Sequence, residues 1–204
     1  MRLNLFPTVA GLWALNAPTA FDQTLYEDLL QVHSAMKTDG EEIWNRQAHN
    51  IFDGSIESCN VLLAHVAQKI QELMGPHGRI KHVQGREVVR HHGTEIMPHN
   101  DEDECDLQAV YFPFGPELDT NADLMEQVNQ YGPNGFAICN PAWRSSGFGG
   151  LLMPWEAHAK FWIKPHRGLL VAFDSRAIHF QKPYVGEQPF MNILFNIKVD
   201  RING

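Results

Sequence analysis

The apolar pattern of this chain changes period once, near Arg79, and that change limits the folds open to it. Before it, apolar residues recur at helical spacing. Phe21, Leu25, Leu29, Leu30 and Val32 predict a helix over residues 21–36, with Asp22 near its start. Val61, Leu62, Leu63, Val66 and Ile70 predict a second over 51–74, stopped by Gly75-Pro76. The first third is therefore expected to be mostly helical. After Arg79 the spacing is that of strands, over 80–83, 86–90, 94–97, 107–114, 151–155, 159–163, 168–173 and 190–199. Gln84-Gly85 is read as a break between two of them and His92-Gly93 as a turn. Helices followed by a run of strands predict an α+β protein, an antiparallel sheet structure backed by N-terminal helices.

At 204 residues the chain suits one domain. Residues 1–78 are its helical support and 79–199 its strand core, with a loop insertion over 115–150. Loops of that length usually carry function. This one contains Tyr131-Gly132-Pro133-Asn134-Gly135 and Ser145-Ser146-Gly147-Phe148-Gly149-Gly150, the second a candidate lid hinge, and a short helix is expected over 122–130. The formal charge is −8 and no Lys/Arg cluster occurs, so nucleic acid is not an expected partner. No apolar run reaches the length of a membrane span, and no secretory leader is recognised at the N-terminus, which places the expectation in the cytoplasm. The three cysteines, Cys59, Cys105 and Cys139, lack CxxC spacing and are expected to be reduced.

His99, Asp101 and His179 carry the chemistry. Met97-Pro98-His99-Asn100-Asp101 sets a His-x-Asp pair at the end of a strand-like run, and Ala177-Ile178-His179-Phe180 opens a later one. Residues i and i+2 of an extended segment share a face, and Pro98 disfavours a helix there. Two imidazoles and one carboxylate can hold one face of a ferrous octahedron and leave the others open to oxygen and an organic ligand. The plain alternatives are a solvated acidic loop at Asp101-Glu102-Asp103-Glu104 and a core histidine at 179. His91-His92 is disfavoured as a ligand pair, because adjacent strand residues point to opposite sides.

The run from Val88 to Asp101 resembles the approach to the iron site in prolyl-hydroxylase-like 2-oxoglutarate oxygenases. Residues 164–173 resemble that family's Pro-x-x-Gly strand, and His179-Phe180-Gln181-Lys182-Pro183 its distal histidine segment, one residue shorter before Gly186. Ile193 to Ile197 and the opening Leu5-Phe6-Pro7-Thr8 are similar to small bacterial and phage oxygenases. The resemblance covers about residues 79–199. It implies a double-stranded β-helix of jelly-roll or cupin-like type. It also implies Fe(II) held by His99, Asp101 and His179, 2-oxoglutarate as co-substrate, and molecular oxygen. The activity implied is that of a dioxygenase oxidising a small molecule or a peptide side chain.

One departure is plain. The family carries Arg or Lys about ten residues after the distal histidine, to grip the far carboxylate of 2-oxoglutarate; here those positions are Gln188, Pro189 and Phe190. Candidate replacements are Lys182, Arg176, Lys160, Arg144 and Arg90, though Arg176 and Lys182 lie an odd number of residues from His179. Asn192 and Asn196 offer neutral amides. Tyr111 is either a carboxylate partner or a core tyrosine. Trp143, Trp155, Trp162 and Phe148 are candidates to line a substrate cleft, with packing as the other role of Trp155 and Trp162. Two other readings stay open: a cupin-like metal oxygenase that uses no 2-oxo acid, and a non-catalytic binding domain.

Overall fold

The structure, a computed structural model, describes residues 2–5, 8–15, 17–38, 50–139 and 160–201. Their order is β1 (Arg2–Leu5), β2 (Thr8–Ala14), α1 (Thr19–Thr38), α2 (Glu57–Met74), β3 (Gly78–Arg90), β4 (Ile96–His99), β5 (Leu107–Phe112), α3 (Leu124–Val128), β6 (Phe136–Cys139), β7 (Lys160–Ile163), β8 (Leu169–Asp174), β9 (His179–Gln181) and β10 (Phe190–Arg201). The strands form two antiparallel sheets, ordered β1-β2-β8-β5-β10-β3 and β4-β9-β6-β7. Among the described residues no helix is long and apolar enough to cross a membrane.

Helical spacing decides which faces meet. On α2, Cys59, Leu62, Val66, Ile70 and Leu73 are buried three or four residues apart, one stripe of the helix. On α1 the buried stripe is Asp22, Leu25, Leu29 and His33. Both pack on one face of the six-stranded sheet, against Tyr111, Leu170, Met191, Ile193 and Phe195. The other face turns Val110, Phe112, Val171 and Phe173 toward Phe136, Ile138, Phe161 and Ile163 of the small sheet. The central strands are thus buried on both faces, which explains why β5 and β8 read as nearly continuous apolar runs. Each large apolar side chain so buried contributes about 1.5–3 kcal/mol.

Four elements differ from the sequence expectation. The first third is not all helix, since β1 and β2 extend the large sheet beside β8. The second helix starts at Glu57, and the residues before it dock on β3 instead. Ile51 N–H donates to the Gly85 carbonyl at 3.0 Å, and Gly85 N–H donates to Asn50 Oδ1 at 2.9 Å. That docking removes the third expectation, a break at Gln84-Gly85. β3 runs through it unbroken, and Gly85 makes room for Phe52, which stacks on Phe195 with centroids 4.6 Å apart. A Cβ at Gly85 would stand 2.2 Å from the Phe52 ring. Finally, the expected insertion over 115–150 contains β6, a fully buried strand of the small sheet. The expected helix inside it is α3, capped by Asp123, whose side chain accepts from Met125 and Glu126 N–H at 2.7 and 3.1 Å. The strand expected over 151–155 lies outside the described residues.

Candidate metal centre

Strand pairing brings the two imidazoles together. His99 and His179 are directly opposed across β4 and β9, and opposed residues of an antiparallel pair share a face. The pairing is irregular between Ile96 and His99, where Pro98 has no N–H to give the ladder. Asp101 lies just past the strand end. Its N–H donates to the Ser175 carbonyl at 3.0 Å, and its own carbonyl accepts from Glu104 and Cys105 N–H at 2.9 and 3.1 Å. This turn sets the carboxylate between the rings. Asp101 Oδ2 is 3.5 Å from His179 Nε2 and 3.9 Å from His99 Nε2. The three ligand atoms lie within 4.8 Å of one another, and no other such group occurs among the described residues.

The ring orientations are fixed from behind. His99 Nδ1 is 2.7 Å from the Met97 carbonyl and His179 Nδ1 is 3.2 Å from the Ala177 carbonyl. A carbonyl only accepts, so each Nδ1 donates to it, which turns each Nε2 toward Asp101. Backbone carbonyls behind metal-binding imidazoles do the same work elsewhere. Burial, and then the neighbouring His99, push the His179 imidazole down to about 3, so it is neutral at physiological pH. Phe173 and Phe136 flank it, with centroids 5.0 and 5.8 Å away. The His99 side chain is 38% exposed against 4% for His179, so the cluster opens to solvent on the His99 side.

A further residue holds the carboxylate and was missed in the sequence. Gln108, buried on the inward face of β5, donates from Nε2 to Asp101 Oδ2. It also reaches Asn196 Oδ1 at 3.4 Å, and Asn196 Nδ2 donates to Glu104 Oε2 at 2.9 Å. The available signal was the one amide inside Leu107-Gln108-Ala109-Val110-Tyr111-Phe112. Of the acidic run, Glu102, Asp103 and Glu104 are exposed, as in a solvated loop, and only Asp101 turns inward.

The remaining candidates separate by face. Tyr111 belongs to the helix-facing side of β5, away from the cluster; its hydroxyl donates to Asp22 Oδ1 at 2.6 Å, and Arg167 closes that network at 2.7 Å. Its role as a carboxylate partner is thereby replaced by the core role. Lys182 is corrected too. One residue past β9, it points away from His179, with Nζ 3.7 Å above the Tyr131 ring and 5.5 Å from Trp162. Trp162 packs edge-on against Phe180 and Tyr131 there, so it takes the packing role. Lys160 sits over Phe180 and Trp162, and Arg176 pairs with Asp174 at the surface. Asn192 is buried on the inward side of β10, and Arg90 is fully buried beside it on β3. Arg144, Trp143, Phe148, Trp155 and the Ser145–Gly150 stretch lie outside the described residues. His91 and His92 are exposed in a turn.

No family profile matches the sequence, and no curated protein matches it. Solved structures do match. A prolyl-4-hydroxylase from Pseudomonas putida superposes with a TM-score of 0.57 at 14% identity, over 95% of this chain and 87% of that one. The epimerase SnoN, in complex with Fe3+, α-ketoglutarate and nogalamycin RO, gives 0.61 at 10% identity, over 95% and 81%. HygX from Streptomyces hygroscopicus, with nickel and 2-oxoglutarate bound, gives 0.58 at 8% identity, over 93% and 81%. The chain shares its fold with these solved structures. The donor set of the cluster suits a ferrous ion: two imidazoles, one carboxylate and no thiolate. The three free cysteines are buried, and burial pushes Cys59 and Cys105 up to about 12 and Cys139 to about 11, so they stay protonated. The interior also keeps buried polar atoms without partners. Arg90 Nε and Nη2, Gln181 Oε1, Asn192 Oδ1 and Gln108 Oε1 are buried with no hydrogen-bond partner, and orphan polar atoms of this kind are costly unless a guest satisfies them.

Proposed function

We propose that this chain is a non-haem Fe(II) dioxygenase that uses 2-oxoglutarate and oxidises a small molecule or a peptide side chain. In this reading the two sheets are the two halves of a double-stranded β-helix, and residues 1–204 make one oxygenase unit. The observation that carries it is the meeting of His99, Asp101 and His179 with both Nε2 atoms turned to one carboxylate. A bound ferrous ion with 2-oxoglutarate supplies oxygen activation coupled to loss of carbon dioxide.

The protein's part is geometry and dryness. His179 and Asp101 form the buried wall of the centre, and His99 forms its open edge. Gln108 holds Asp101 Oδ2 in place, so the carboxylate enters the centre preoriented. Phe136 and Phe173 exclude water behind His179. The substrate then approaches from the side of His99, the one solvent-exposed ligand.

Anaerobically loaded protein, given oxygen and 2-oxoglutarate without substrate, is expected to make succinate slowly and in step with 2-oxoglutarate loss. His179→Ala abolishes it. Iron binding with no consumption of 2-oxoglutarate, beside consumption of oxygen alone, would favour the cupin-like alternative.

A further inference from the structure

The large sheet holds a buried cation that the proposed metal centre does not use. Arg90, the last residue of β3, is fully buried. Its backbone is paired with Phe190 of β10, so its side chain shares the inward face with Phe190. The guanidinium lies 5.1 Å from the Phe190 ring centroid and 5.8 Å from that of Tyr184. It makes one hydrogen bond among the described residues, from Nη1 to the Lys182 carbonyl at 3.1 Å. Nε and Nη2 are buried and unpartnered, and no carboxylate among the described residues pairs with it. Burial pushes the guanidinium down to about 10. Leaving a buried charge without a counter-charge costs several kcal/mol, so a site of this kind implies an anion that completes it.

Three features define the anion. Arg90 reaches across from the large sheet to the carbonyl just beyond β9. That carbonyl lies three residues along from His179, about 10 Å at strand rise, the order of length that a short chelating diacid spans from metal to far carboxylate. Gln181 shares the inward side of β9 with His179, and Asn192 that of β10 with Phe190; each keeps a buried, unpartnered amide oxygen there. An amide turned by 180° offers N–H instead, so both can serve an anion. Finally, Nε and Nη2 form one edge of the guanidinium, the edge that grips a carboxylate with two parallel hydrogen bonds.

The geometry points to Arg90 as the residue that receives the far carboxylate of 2-oxoglutarate, with the cation supplied by β3 rather than by β10. Phe190, at the β10 end where a basic residue is lacking, is its direct cross-strand partner. The charge has moved one strand sideways and still points into the space between the sheets. This assignment rests on the oxygenase reading above. It excludes Lys182, Lys160 and Arg176, which all lie on outer surfaces.

The test compares two ligands on the iron-loaded protein without oxygen, read by the charge-transfer absorption of a chelated 2-oxo acid and by calorimetry. 2-Oxoglutarate has the far carboxylate; 2-oxopentanoate has a methyl group in its place. Wild type is expected to prefer 2-oxoglutarate, and Arg90→Met to lose roughly 10- to 100-fold of that preference. Iron affinity and 2-oxopentanoate affinity stay unchanged. Arg90→Lys, which keeps the charge and the fold but not the fork, is expected to fall between them and serves as the test variant should Arg90→Met not fold. An unchanged preference in either folded variant overturns the assignment and leaves the oxygenase reading intact. Failure of wild type to bind either 2-oxo acid, with iron bound, overturns both.

Discussion

The two faces of the six-stranded sheet come from the same strands and have opposite chemistry. Toward the helices, polar groups are paired: Tyr111 with Asp22, Asp22 with Arg167, His33 with Glu87. The unpartnered atom there, Arg167 Nε, belongs to a side chain already held through its other atoms. Toward the small sheet, Arg90, Gln108 and Asn192 keep unpartnered atoms in the interior. Because residues i and i+1 of a strand face opposite sides, neighbours such as Gln108 and Ala109 serve different ends. One face is satisfied within the fold, and the other keeps polar atoms unpaired in the interior.

The difference can be broken by substitution. Phe195→Ala, on the helix side, removes the ring on which Phe52 stacks and is expected to cost about 3–5 kcal/mol in denaturant unfolding. Iron affinity of the folded fraction should be unchanged; a parallel loss of iron would show that the faces are coupled. Gln108→Leu, on the inward side, is expected to weaken iron binding by roughly 10- to 100-fold. It is expected to cost about 1–3 kcal/mol in unfolding as well, because the Asp101 carboxylate loses its donor. A large stability loss without an iron effect would make Gln108 a core residue only. The smallest effect belongs outside both faces. Lys182→Ala removes a cation over Tyr131 and should cost no more than about 1 kcal/mol, with 2-oxoglutarate affinity unchanged. A marked fall in that affinity would move the carboxylate site away from Arg90.

The sequence made strands legible where apolar runs were long. β5, β8 and β10 stand close to their expected places, because strands buried on both faces carry continuous apolar residues. β6 was not legible, since Phe136-Ala137-Ile138-Cys139 is four residues long and follows a turn-rich segment. Gly85 misled for a different reason: a glycine in a strand marks close approach as readily as a break, and Phe52 is distant in sequence. The candidate residues were picked out by a local His-x-Asp pattern and by one histidine opening a later strand-like run. Their convergence depended on the β4–β9 pairing, which no local pattern carries. Tyr111 and Arg90 depended on which side of a strand faces the helices, so alternation alone left Tyr111 with two roles and Arg90 as one cation among five.

His99, Asp101 and His179 are expected to hold one ion together. Anaerobic Fe(II) titration of the wild type and of His99→Ala, Asp101→Ala, His179→Ala and His91→Ala measures this. One ion per chain is expected, kept in His91→Ala and lost in the other three. Iron bound as tightly in His179→Ala as in the wild type would contradict it.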